Sequence, residues 1–144
     1  LHKNIDAFVS LTHGEGFGLP IFEAAYSGMP VVTVGWSGQC DYLFDETGKE
    51  NFYNVAYDIQ PIQEEAVWDG VLQKDSMWSF ARKESARQQM RTCLNDVIGN
   101  NTNSCEYANK LNERFAEDKM YDMFAESVLQ ACGNTQQDSK VVVL

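Results

Sequence analysis

The pattern of apolar and polar positions is densest in the first forty residues. Ala7-Phe8-Val9-Ser10-Leu11 is a short, mostly apolar run, and Val31-Val32-Thr33-Val34-Gly35 is β-branched and apolar. Neither alternates cleanly, so both read as strands buried on two faces. Between them Pro20 suits the first helical position, with its fixed φ and missing N–H. Gly28 is placed to close that helix in a left-handed conformation, and Pro30 stops it from resuming. Strand, loop, helix and strand make a βαβ unit, expected to be parallel and right-handed. The loops at 12–19 and 35–41 then lie together at the carboxyl end of the strands, where open sheets bind ligands.

Further along, Tyr53, Val55, Tyr57 and Ile59 alternate with Asn54, Ala56 and Asp58, the period of a half-buried strand suited to a sheet edge. Pro61 is expected to end it. Glu64 to Leu72 predicts a short helix, weakened by Gly70. Ser79 to Ile98 predicts a longer one with Ser79 as N-cap. Ala86, Met90, Cys93 and Val97 share one face of it, and Arg82, Arg87 and Arg91 belong to a solvated face. After a polar turn, Gly99 to Ser104, the residues Tyr107, Leu111 and Phe115 begin another helical pattern. Met120, Phe124 and Val128 recur every four residues on the last helix, with Leu129 beside them, and read as core. Gly133 to Lys140 is polar and expected to be mobile. Val141 to Leu144 is an apolar β-former that would seek a sheet edge. The organisation expected is one domain over residues 1–132 and a tail over 133–144.

The loop between the first strand and its helix carries the chemistry. Gly14, Gly16 and Gly18 are expected to tolerate φ > 0 and to let a ligand approach the backbone closely. A helix N-terminus behind a glycine loop favours an anion, usually phosphate. Two carboxylates flank it: Glu15 in the loop and Glu23, expected in the first turn. Carboxylates would repel a phosphate but accept hydrogen bonds from hydroxyls. A ligand with phosphates between hydroxyl-bearing groups is a sugar nucleotide. A dinucleotide fingerprint does not fit, because its third glycine would stand where the chain has Leu19. Its ribose-binding acid would stand where the chain has Gly35 and Trp36.

Those residues resemble a known family. Glu15 to Glu23, E-G-F-G-L-P-I-F-E, is similar to the E-x7-E signature of the group 1 type nucleotide-sugar glycosyltransferases of the GT-B fold. The similarity extends upstream to Asp6-Ala7-Phe8-Val9 and downstream through Ser27-Gly28-Met29-Pro30-Val31-Val32. It reaches Trp36-Ser37-Gly38, Asp41 and Tyr42, a version of the family's second glycine loop followed by an acidic residue. Beyond residue 43 it is thin.

The resemblance implies an α/β fold, a Rossmann-like parallel sheet flanked by helices, as part of the C-terminal, donor-binding GT-B domain. It implies transfer of a hexose from a nucleoside diphosphate sugar to a glycan or lipid-linked hydroxyl, usually with retention and without a catalytic metal or other cofactor. Glu15 is then the catalytic candidate, contacting hydroxyls of the donor sugar, and Glu23 takes the ribose hydroxyls. The backbone N–H groups of Phe17, Gly18 and Leu19 meet sugar and diphosphate, with His13, Gly14, Gly16, Ser37 and Gly38 completing the donor site. His13, two residues before Glu15, either bonds a donor or acceptor hydroxyl or bonds backbone as a loop imidazole.

The family's basic diphosphate-binding residues, its first donor-domain strands and its acceptor domain would lie upstream of Leu1. The chain is therefore expected to be part of a longer enzyme, partnered by an N-terminal domain and inactive in transfer alone. A non-catalytic binding or interaction module is the alternative. The strand at 7–11, or its neighbour at 31–34, is expected to lack a sheet partner, which would favour a homodimer.

Composition narrows this modestly. The chain has 144 residues, with 11 Lys and Arg against 21 Asp and Glu, a net charge of -10. A pI near 4.5 argues against nucleic acid and against an anionic membrane surface. Cys40, Cys93, Cys105 and Cys132 lie far apart without metal-ligand spacing, which suits reduced thiols. The expected location is cytoplasmic, with membrane-peripheral association open for the longer enzyme.

Overall fold

The computed structural model describes residues 5–138. The polypeptide is mixed α/β, built on a small parallel sheet of three strands in the order β1-β2-β3: Phe8–Ser10, Val31–Val34 and Tyr53–Val55. Phe8, Val9 and Ser10 register with Val31, Val32 and Thr33, and Val32, Thr33 and Val34 register with Tyr53, Asn54 and Val55. Every residue of β2 is buried, as its apolar, β-branched run requires of a central parallel strand. Val32 and Val34 pack with Val55 against Ala86 and Cys93, which lie on α3, Lys83–Ile98. Alternation along the strand leaves Val31 and Thr33 for the opposite face, where α1, Leu19–Tyr26, buries Ile21, Ala24 and Ala25.

Helix α1 ends where expected. Gly28 has φ 83, and its N–H reaches Ala25 O while the N–H of Met29 reaches Ala24 O. These are the two bonds of a Schellman closure, which needs a left-handed residue at this position. The start differs from expectation. Gly18, at φ 79, is the N-cap and Leu19 the first helical residue. Pro20 is therefore second, and Glu23 falls in the second turn rather than the first.

The second expected loop, 35–41, is largely helical. A 3-10 turn at Ser37–Gln39 runs into α2, Cys40–Leu43. The alternating run at 53–59 is two strands in two sheets. β3 stops at Val55, and β4, Tyr57–Pro61, pairs antiparallel with β5, Met77–Ala81. Pro61 is thus inside β4, at its end, opposite Met77. The expected helix at 64–72 is reduced to a 3-10 turn at Glu64–Ala66. Beyond it, Trp68 and Leu72 bridge across a turn in which Gly70 has φ 80.

The long helix begins at Lys83, not at Ser79, which is buried in the middle of β5. Met90, expected on its buried face, is 39% exposed. β1 forms one edge of the described sheet. Its Val9 lines an apolar groove with Met90, Leu94 and Val97. Of the two strands expected to lack a partner, β1 is the one at a sheet edge among the described residues.

The chain divides into two compact units, Leu1–Leu111 and Asn112–Leu144. Helix α4, Ser104–Arg114, runs across the boundary, and its part in the first unit buries Tyr107, Ala108 and Leu111. In the second, α5, Glu117–Asp138, carries residues 133–138 on as helix where a mobile tail was expected. Phe124 and Leu129, expected as core, are 71% and 72% exposed, and Val128 is exposed as well. The expected strand at Val141 to Leu144 lies outside the described residues. No helix among the described residues is long and apolar enough to cross a membrane.

Cysteine accessibility tests this arrangement. Cys105 and Cys132 are exposed, Cys40 is intermediate and Cys93 is buried. Burial, with Asp96 adding to it, also pushes the Cys93 thiol up, which lowers its reactive thiolate fraction. Alkylation of the native protein followed by peptide mass mapping is expected to label Cys105 and Cys132 first and Cys93 last. Early labelling of Cys93 would contradict the packing of α3 on the sheet.

Candidate functional site

The glycine loop leaves β1 at Ser10 and re-enters regular structure at Leu19. Its middle is held from the side by the turn after β2. Ser37 Oγ donates to Glu15 O at 2.6 Å and accepts from Glu15 N–H at 3.2 Å. The N–H of Gly38 donates to the same Glu15 O at 3.0 Å. Three hydrogen bonds therefore fix the Glu15 main chain to the second loop. Ser37 makes its two from φ 71, a left-handed conformation that costs a serine free energy and persists only where its surroundings impose it.

Gly38 packs so closely on this loop that a Cβ there would lie 2.6 Å from Gly16 C and 2.9 Å from Glu15 O. Gly16 itself faces open space, with nothing within 4 Å of where its Cβ would stand. Of the three loop glycines expected to tolerate positive φ, only Gly18 adopts it. Gly14 stands beside Ser37 and the Trp36 indole nitrogen.

The start of α1 is fixed from below. Tyr42 is fully buried and donates its hydroxyl to Gly18 O at 2.9 Å, the carbonyl that also accepts from the N–H of Phe22. Burial pushes the Tyr42 phenol far up, and the nearby Glu15 carboxylate adds to the shift. It is therefore a neutral donor at any physiological pH. Phe17 packs its ring on Phe22 and Tyr42, with centroids 5.2 and 5.0 Å apart. The stem of Glu15 lies across Gly18, its Cβ and Cγ 3.4 Å from where a Gly18 Cβ would be. Glu15 is thus anchored at its main chain and laid over the helix N-cap.

The second loop is braced in turn by the neighbouring strand. Asn54 Oδ1 accepts from the N–H of Gly35 at 3.0 Å, and its Nδ2 donates to Glu50 at 2.7 Å. Tyr57 donates its hydroxyl to Gly35 O at 3.1 Å. Gln39 is fully buried and donates to Val34 O, while its Oε1 has no partner among the described residues.

The structure thus brings Gly14, Glu15, Gly16, Gly18, Ser37 and Gly38 together at the carboxyl end of β1 and β2. Leu19 is exposed. Glu23 is exposed on α1. His13 is drawn the other way, to the β4–β5 hairpin. Its Nδ1 lies 2.6 Å from Ser79 O, and its own carbonyl accepts from both the N–H and the Oγ of Ser79 at 3.0 Å. Of its two expected roles, bonding to backbone is the one observed.

Tyr42, Asn54, Tyr57 and Ser79 were not expected in these supporting roles. For Tyr42 the available signal was an aromatic residue opening the apolar run Y-L-F shortly after a glycine turn. For Ser79 it was the flanking Trp78 and Phe80, which favour a strand. The chain matches no family model, no curated protein and no solved structure.

Proposed function

We propose that this chain is the donor-binding portion of a retaining glycosyltransferase, which moves a hexose from a nucleoside diphosphate sugar to a glycan or lipid-linked hydroxyl. The observation that carries the reading is the placement of Glu15 within a sequence resembling E-x7-E. Its main chain is locked by Ser37 and Gly38, and its stem crosses the N-cap of α1. A carboxylate held there accepts hydrogen bonds from sugar hydroxyls while the helix N-terminus takes the diphosphate. During transfer the bond from the anomeric carbon to the diphosphate breaks, and negative charge grows on the leaving oxygen. Fixed backbone N–H groups aimed at that oxygen stabilise the charge without reorganising. Glu23, one turn further along α1, serves the ribose hydroxyls.

Calorimetric titration separates these roles. A hydrogen bond to a charged group contributes about 1.5–3 kcal/mol. Glu23→Ala is expected to weaken both the free nucleoside diphosphate and the sugar nucleotide by about tenfold or more. Glu15→Ala is expected to weaken only the sugar nucleotide. Equal losses on both ligands in both variants would reject the assignment.

A further inference from the structure

His13 is the residue of the loop whose chemistry the hairpin decides. Its ring packs against two aromatic side chains of β5. Trp78 is stacked on it at 5.1 Å and 8°, and Phe80 is tilted against it at 4.4 Å and 46°. The two rings restrict rotation of the imidazole. In the plane of the ring, Nδ1 meets the carbonyl oxygen of Ser79 at 2.6 Å. A carbonyl only accepts hydrogen bonds, so the proton of this contact belongs to Nδ1. The hydrogen bond at one ring nitrogen sets the state of the other. In the neutral ring Nε2 must then hold a lone pair, and it has no hydrogen-bond partner among the described residues.

The contact is reinforced rather than incidental. The His13 carbonyl accepts from both the backbone N–H and the hydroxyl of Ser79, so one residue of β5 holds both main chain and ring. Ser79 is itself 1% exposed and is kept in place by pairing with Ile59 across the hairpin. The hairpin is in this way an arm that reaches the glycine loop two residues before Glu15. A half-buried nitrogen lone pair, clamped in direction and left without a protein donor, suits a hydroxyl. It does not suit a phosphate oxygen, which offers no proton.

We infer that the β4–β5 hairpin belongs to the ligand site: Ser79 holds His13 as the Nδ1–H tautomer, and His13 Nε2 accepts a hydrogen bond from a hydroxyl of the bound sugar. The second half rests on the sugar-nucleotide reading above; the first half does not. His13 touches the ligand, and Ser79 is a positioning residue acting through it.

The chain has two histidines, His2 and His13, so the ring nitrogens can be assigned by long-range proton–nitrogen NMR with a His13→Asn variant. With the ring neutral, Nδ1 of His13 is expected to be pyrrole-like and Nε2 pyridine-like, the reverse of the form favoured by free histidine. Ser79→Ala keeps both the carbonyl that accepts from Nδ1 and the N–H that donates to His13 O, and is expected to preserve the Nδ1–H form while losing only the hydroxyl bond. The Nε2–H form in the wild-type protein would overturn the inference outright.

The ligand half is read by calorimetry with UDP-glucose, GDP-mannose and ADP-glucose, each beside its free nucleoside diphosphate. His13→Asn keeps an amide donor near Nδ1 and removes the reach of Nε2. It is expected to weaken the sugar nucleotide that binds by about two- to tenfold, the loss of one neutral hydrogen bond, and to leave the free diphosphate unchanged. An equal loss on both, or no loss on either, would reject a sugar contact. If the wild-type chain binds none of the three, the ligand half fails with the reading it rests on, while the tautomer result stands separately.

Discussion

Gly38→Ala is expected to cost the protein about 1–3 kcal/mol or more, and to abolish binding at the glycine loop. The added Cβ would fall within the Gly16 carbonyl group, 2.6 Å from Gly16 C and 2.9 Å from Glu15 O. All of these neighbours are main chain, so no flexible side chain can swing aside. One loop must withdraw from the other. That withdrawal breaks the bond from Gly38 N–H to Glu15 O and pulls Ser37 off the Glu15 peptide.

Gly16→Ala is the paired measurement. Its Cβ would meet nothing within 4 Å, so stability is expected to change by less than about 0.5 kcal/mol. A ligand that approaches the backbone at Gly16 would still be repelled. Thermal unfolding and titration together therefore give two signatures: stability and binding lost together at 38, and binding lost alone at 16. Unchanged stability in Gly38→Ala would mean that the two loops are not packed as described.

The part of this site legible in the sequence is the part whose geometry is local. Gly28 had to be left-handed because a helix followed by Gly-x-Pro closes in one way, and its φ is 83. The buried strand β2 was legible because a run such as V-V-T-V has no polar face to offer water. What escaped depended on partners distant in sequence. The alternation from Tyr53 to Ile59 records an extended backbone and says nothing about which strand pairs with it. At Ala56 the chain leaves one sheet for another. Its N–H goes to Ser85 Oγ and its carbonyl accepts from Arg82, yet the period of two runs straight through.

Ser79 misled for a related reason. A serine ahead of a helical pattern reads as an N-cap, but its hydroxyl is committed to His13 O, 66 positions away. The helix starts after Arg82 without a side-chain cap. Arg82 instead pairs with Asp58 across the hairpin and holds that carboxyl below its ordinary range. On α5, spacing of four correctly reports one apolar stripe. Periodicity states that a face is apolar, not what packs on it, and Phe124 and Leu129 are exposed.

The role of Tyr42 joins the two kinds of information, and its removal is the other large effect expected. Tyr42 is the bulkiest fully buried side chain described. It lies under the glycine loop, with Phe22 edge-on at 5.2 Å and Phe17 at 5.0 Å. Tyr42→Ala leaves a cavity that those rings cannot fill without moving the loop, and is expected to cost about 3–5 kcal/mol. Tyr42→Phe keeps the ring and deletes only the donor to Gly18 O, which still accepts from Phe22 N–H. That change is expected to cost about 0.5–1.5 kcal/mol. Its sharper effect is on order: the Gly18 carbonyl loses its anchor at the N-cap, so amide hydrogen exchange over residues 16–19 is expected to quicken while exchange in α3 stays unchanged. The support continues one layer deeper, since Tyr107 donates to Tyr42 O at 2.8 Å and ties α2 to α4. Chemical denaturation of the two Tyr42 variants measures the first difference, and exchange mass spectrometry the second. A Tyr42→Ala protein within about 1 kcal/mol of the wild type would show that the loop does not rest on this ring.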